Sequence, residues 1–180
     1  QRSGGRHIAE TTFGHAWSWD LNNWAVDTLF SAVDSTTWNA AHVWSPSVVR
    51  QGAKDYLFYT GVDVNDDQRI GYASTSLLDT TDTVWDPERV MVWEADSTRW
   101  AVPDPWTYYG QTQFRDADVI EDPDDPQRLL MFYEAHDSID FNLGRGGLTV
   151  GVARSAPGTP NTWEDLGFYP GTLPRASHVG

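Results

Sequence analysis

The feature that most constrains this chain is that it repeats itself. The first copy runs from His42-Val43-Trp44-Ser45-Pro46-Ser47-Val48-Val49, through Asp55-Tyr56-Leu57-Phe58-Tyr59-Thr60-Gly61 and Arg69-Ile70-Gly71-Tyr72-Ala73-Ser74, to Val84-Trp85-Asp86-Pro87. The second keeps the same order: Phe114-Arg115-Asp116-Ala117-Asp118-Val119-Ile120, Leu130-Met131-Phe132-Tyr133-Glu134-Ala135, Thr149-Val150-Gly151-Val152-Ala153-Arg154 and Thr162-Trp163-Glu164-Asp165. Self-similarity at a period of tens of residues marks solenoids and propellers. Each copy holds four short β-branched or aromatic runs, which reads as a four-stranded antiparallel meander, the unit of a propeller blade. The expected class is therefore all-β, with blades over 42–92 and 114–172 and inner strands near 43–49 and 114–120.

Turn chemistry agrees. Asn65-Asp66-Asp67, Asp122-Pro123-Asp124-Asp125-Pro126 and Gly144-Arg145-Gly146-Gly147 are residues that reverse a strand. No sustained helical period competes with them. The ends look like incomplete blades: Phe13 to Ser18 matches a third strand, Asn23 to Val26 a fourth, and Arg175 to Val179 only an innermost strand. Propellers close by pairing strands from their two termini. A composite blade from 1–38 plus 173–180 would make a single domain of three blades. Also open are a fragment of a longer propeller and a ring assembled from several copies, so monomer and homo-oligomer both stand.

Composition narrows the partners. A net charge of -14 with only 12 basic residues excludes a phosphate backbone, and an anionic membrane with it. No apolar run is long enough for a membrane span. With 10 Trp and 7 Tyr the chain is far richer in aromatics than a core requires. Such rings suit strands and sugar-stacking surfaces, so carbohydrate is the expected partner. There is no Cys to report a redox compartment. A start at Gln1 without a basic n-region or an apolar h-region fits a processed secreted protein and a trimmed chain equally.

At Phe13-Gly14-His15-Ala16-Trp17-Ser18-Trp19-Asp20-Leu21-Asn22-Asn23-Trp24 the chain resembles the "GHA-x-S-x-DL-x-x-W" segment of glycoside hydrolase family 32. Val43 to Val49, Phe58-Tyr59-Thr60-Gly61 and Gln68 to Ser74 are similar to its "vWSGS", "FYTG" and "QRIGxA" stretches. Phe114-Arg115-Asp116-Ala117-Asp118 resembles the "FRDP" motif shared with family 68, and family 43 carries kindred blades. The ordered matches cover most of residues 13 to 155. The resemblance implies a five-bladed propeller of the invertase and arabinanase type, of which this chain would be a fragment, with a funnel on its axis where three acidic residues from separate inner strands handle a glycosidic bond. One carboxylate attacks the anomeric carbon or activates water, a protonated one donates to the leaving oxygen, and a third holds the sugar.

Only the third role has a matching occupant, Asp116, with Arg115 beside it to orient the sugar. No "NDPN"-like nucleophile motif stands in Gln1 to Thr12, and the acid's position falls on Arg175, which cannot donate a proton at neutral pH. Replacement acids are Asp20, Asp118 and Glu134. Asp118 lies two residues after Asp116, on the same face of a strand, where two carboxylates so close would raise one pKa. Glu134 is an acid standing where the other copy has Thr60. The expected catalytic set is thus Asp116, Asp118 and Glu134.

For substrate binding the expected set is Arg115, Trp44, Ser45, His42, His15, Trp106 and Tyr108. Trp106 and Tyr108 belong to an aromatic insertion, 93–113, of a length that is usually functional. Trp24, Trp85 and Trp163 recur at matched positions and read as core. No cofactor is expected, and no metal ligand is assigned: His15, His42 and His178 could meet around an axial ion, but 5 His without a close-spaced pair is a weak signal. Two functions follow, a hydrolase of furanose-containing glycans and a carbohydrate-binding propeller that has lost the chemistry.

Overall fold

A computed structural model describes residues 10–31, 37–76, 85–86, 89–94, 114–136 and 148–168, and every regular element among them is a β-strand. Strands β1 (Thr12–Trp17) and β2 (Ala25–Ser31) form an antiparallel pair. One four-stranded sheet follows in chain order: β3 (His42–Gln51), β4 (Lys54–Val62), β5 (Gln68–Thr75) and β6 (Val90–Trp93). A second contains β7 (Phe114–Asp122), β8 (Asp125–His136), β9 (Leu148–Ser155) and β10 (Trp163–Phe168). All neighbours are antiparallel, so each sheet is the meander that the repeat predicts, and the fold is of the β-propeller class. The strands expected to close the ring, at 173–180, lie outside the described residues.

Polar turn residues make the reversals. Gln51 pairs with Lys54 across Gly52-Ala53, where Gly52 takes φ 61. Asp122 pairs with Asp125, and its carboxylate accepts the Asp124 N–H at 3.0 Å. The Asp63 carboxylate accepts the N–H groups of Asn65 and Asp67 at the bend between β4 and β5. One boundary differs from expectation: the fourth strand of the first blade is 90–93, downstream of Trp85. Asp86 is instead a brace, its N–H bonded to the Ser74 carbonyl and its carboxylate taking the Ser74 hydroxyl and the Lys54 ammonium.

The larger core cluster belongs to both blades. Phe58 of β4 and Ile70 and Tyr72 of β5 are buried with Val119 of β7 and Leu129, Met131 and Tyr133 of β8. Each such side chain contributes about 1.5–3 kcal/mol on burial, so the two sheets are one cooperative unit rather than beads on a string. Trp163 meets Phe58 edge-on, with centroids 5.8 Å apart. Trp85 packs on the smaller cluster of Phe13, Val43, Leu57, Tyr59 and Ala73. Trp24, expected in the core by the same repetition, is 54% exposed and joins neither cluster among the described residues; its indole N–H bonds to the Leu21 carbonyl in its own loop.

Polar locks set the second blade against the first. Buried Gln68 accepts the Phe114 N–H at 3.1 Å, and the Tyr72 hydroxyl bonds the Asn161 side chain. Gln51 reaches the Gln127 carbonyl at 2.9 Å. The start of β7 is thereby fixed just before Arg115 and Asp116.

Candidate active site

The pairing of both inner strands breaks at the same place. β3 shifts register against β4 between Trp44 and Ser47, and β7 shifts against β8 between Arg115 and Asp118. Ser45 and Asp116 occupy the left-handed region, at φ 50 and φ 55. A β-bulge re-aims a side chain, and a left-handed non-glycine costs about 1–3 kcal/mol that clusters at functional sites. Pro46 fits such a break because it has no N–H to lose, and Asp is among the residues that tolerate the conformation. Strict alternation predicts neither bulge.

The two bulges face each other. Ser45 Oγ donates to Asp116 Oδ1 at 2.6 Å, and Ser47 Oγ donates to Asp118 Oδ1 at 3.0 Å while accepting the Val119 N–H at 3.1 Å. Thr60 Oγ1 accepts the Asp116 N–H at 2.9 Å. Asp116 is therefore held at both its main chain and its carboxylate by the first blade. Asp116 and Asp118 are both exposed, with buried Ala117 between them, and each is bonded to its own serine.

Arg115 links two acids. Its Nε and Nη2 both donate to Glu134 Oε1, at 2.9 and 2.7 Å, and Nε lies 3.6 Å from Asp116 Oδ2. The three side chains are partly exposed, so the ions stay hydrated while the fork fixes their orientation. Glu134, expected as an acid of the site, is thus the anchor of Arg115.

Of these residues Ser45, Arg115 and Asp116 open on a cleft of about 520 Å³, lined also by Glu10, Phe13, Val43, Trp44 and Pro46; Asp118 and Glu134 are not among its lining residues. Trp44 lines it with His42 stacked on its ring at 5.5 Å. His42 Nδ1 accepts the Glu10 N–H at 3.2 Å. Glu10 is absent from the expected set because it precedes β1 and belongs to no motif. Only the pairing that folds Glu10 onto β3, with the Val43 N–H on its carbonyl at 2.7 Å, brings it there.

His15 sits on β1 opposite Asp27 and is not among the residues that line the cleft. Asp20 serves its own loop: it takes bonds from Asn23, Asn22 and Ser18, which hold its carboxyl far below the usual range. Trp106, Tyr108 and His178 lie outside the described residues. Among the described residues no group of three or more His, Asp or Glu side chains is placed to hold a metal.

The family model described as "Glycosyl hydrolases family 32 N-terminal domain" matches residues 2–168. Among solved structures, a levansucrase from Gluconacetobacter diazotrophicus is similar with a TM-score of 0.57 at 17% identity, covering 81% of this chain and 39% of that one. The β-fructofuranosidase catalytic domain of Microbacterium saccharophilum K-1 is similar with a TM-score of 0.58 at 16% identity, covering 81% and 39%. The chain spans about two fifths of the length of these proteins, and at such identities the likeness is one of fold. No curated relative matches the chain.

Proposed function

The chain belongs to the family of glycosyl hydrolases family 32 N-terminal domains, and from that premise we propose that the Asp116 cleft binds a furanosyl unit, of fructofuranosyl type, and hydrolyses its glycosidic bond. The observation that carries this reading is the bulge that turns Asp116 into left-handed backbone and ties it to Ser45, Thr60 and Arg115 at the cleft. Strain of that kind is kept where a side chain must be aimed.

Asp116 keeps acceptor capacity beyond its bonds to Ser45 and Arg115, enough to take sugar hydroxyls. Arg115, fixed by Glu134, orients the same sugar and balances the charge of Asp116. Trp44 supplies an aromatic surface for the apolar face of the ring. Asp118, exposed beside Ser47, is the acid of the expected set left to serve the leaving oxygen. Asp116→Asn tests the reading well, because Asn also tolerates left-handed backbone. Release of fructose from a fructofuranoside should fall by about 10²–10⁴-fold, with the melting temperature within a few degrees of wild type. Wild-type turnover in that variant contradicts the assignment.

A binding reading without hydrolysis draws on one observation, that Asp116, Asp118 and Glu134 are each already engaged by Ser45, Ser47 or Arg115. Quenching of tryptophan fluorescence by a fructofuranoside, with no sugar released, is the outcome that favours it.

A further inference from the structure

We infer that Thr60 is a positioning residue that sets the backbone of Asp116 for the sugar, an assignment that rests on the reading of the Asp116 cleft above. The bulge between Arg115 and Asp118 takes Asp116 out of the pairing with β8, so its N–H leaves the strand ladder. The first blade supplies the replacement acceptor. One side chain from each of its three successive strands accepts an N–H of β7: Gln68 of β5 that of Phe114 at 3.1 Å, Thr60 of β4 that of Asp116 at 2.9 Å, and Ser47 of β3 that of Val119 at 3.1 Å. Thr60 is the middle of this fan and the one that meets the left-handed residue.

Thr60 is itself held still. It is fully buried on β4, the strand between β3 and β5, and pairs with Trp44 on one side and Ile70 on the other. A β-branched side chain has few rotamers open to it, which keeps Oγ1 aimed at β7. Its neighbours leave little slack: Tyr59 is fully buried, and a Cβ on Gly61 would lie 2.2 Å from the Trp38 ring. Asp116 is then gripped at two points by one wall, its N–H by Thr60 and its Oδ1 by Ser45 at 2.6 Å. Two anchors fix the direction of the carboxylate as well as its place, and a misplacement of about 1 Å can lower a rate about 10²-fold.

The second blade uses the matched position for the other half of the pair. Where the first blade has Thr60 the second has Glu134, which accepts from Nε and Nη2 of Arg115. Arg115 is thus steadied from its own blade and Asp116 from the neighbouring one. A carboxylate in place of Thr60 would set a second negative charge beside Asp116, whereas a hydroxyl accepts the N–H and adds none.

Thr60→Val keeps the volume and the β-branch but removes the acceptor. On a fructofuranoside, kcat of the full chain should fall by about 10–10²-fold with KM little changed, and Thr60→Ser should recover most of the loss. In an Asp116→Asn background the effect of Thr60→Val should vanish, because a residue that acts through Asp116 has no carboxylate left to position. Unchanged kcat in Thr60→Val, no recovery in Thr60→Ser, or the same loss in both backgrounds overturns the assignment. Should Thr60→Val not fold, Thr60→Ala against Thr60→Ser makes the same comparison, since those two differ only by the hydroxyl. If wild type and Asp116→Asn behave as proposed above while Thr60→Val stays fully active, the Thr60 role alone fails. If wild type binds the sugar but releases none, the hydrolase reading fails and the series is read as affinity by quenching of tryptophan fluorescence. Weaker binding in Thr60→Val with recovery in Thr60→Ser then upholds the Thr60 role, and equal affinities overturn it. A wild type that neither cleaves nor binds a fructofuranoside overturns both.

Discussion

The two complete blades share one scaffold and differ in chemistry at the same points. Both have a meander of four strands, both bulge near the start of the inner strand, after Trp44 in one and after Arg115 in the other, and both put a non-glycine residue in left-handed backbone there. At matched positions the first blade carries Trp44, Ser45, Ser47 and Thr60, and the second carries Arg115, Asp116, Asp118 and Glu134. Every hydroxyl of the first set holds a group of the second: Ser45 bonds Asp116, Ser47 bonds Asp118, and Thr60 takes the Asp116 N–H. The repeat supplies the geometry twice. One copy then provides charge and the other provides neutral partners that position it without competing for it.

The largest effect expected from breaking that symmetry is in the core. Gly71 pairs with Tyr59 in the first blade, and Gly151 pairs with Tyr133 in the second. A Cβ on Gly151 would lie 2.3 Å from the Tyr133 ring, whereas one on Gly71 would lie 2.4 Å from the Val90 carbonyl oxygen and 2.5 Å from the Trp38 ring. Overpacking of this sort costs about 1–3 kcal/mol. Chemical denaturation should show both Gly→Ala variants destabilised, with Gly71→Ala worse, because a backbone carbonyl yields less than a ring. Equal stability of both variants and wild type would break the claim that the blades are packed alike.

A smaller effect should separate the blades by pH. In the first blade the Ser74 hydroxyl and the Lys54 ammonium hold the Asp86 carboxyl below its usual range. Partial burial pushes Asp63 up, but Arg69 and the amides of Asn65 and Asp67 outweigh it and leave the net shift downward. A depressed folded pKa stabilises above the unfolded value near 4 and is lost as pH falls through the folded one. The denaturation midpoint should therefore drop as the medium is acidified below about pH 4. Asp86→Asn should flatten part of that slope; an unaltered slope would remove Asp86 from the account.

Much of the fold was legible in the residues. Short β-branched and aromatic runs between Gly, Pro, Asn and Asp define strands because those turn residues accept the dihedrals that reversals need. The inner strands fall where the repeat places them. Three features were not legible, each for a physical reason. Alternation assumes an unbroken pleat, so the bulges at Ser45 and Asp116 escape it, although Pro46 inside a strand run was a signal. Trp24 repeats the position of Trp85 and Trp163, but repetition reports a place in a blade and not what packs against that place. Glu10 enters the cleft only through long-range pairing with His42 and Val43, and no local pattern encodes such a contact.

The central claim is that the chemistry resides on the charged bulge of the second blade, and exchanging the bulge residues tests it most directly. The double variant Ser45→Asp with Asp116→Ser keeps one hydroxyl–carboxylate bond across the inner strands but moves the carboxylate off the residue beside Arg115. Fructofuranoside turnover and melting temperature are measured together on this variant. The account predicts a melting temperature within a few degrees of wild type and turnover reduced by about 10²-fold or more. A double variant as active as wild type would show that either bulge can carry the carboxylate, and would contradict it.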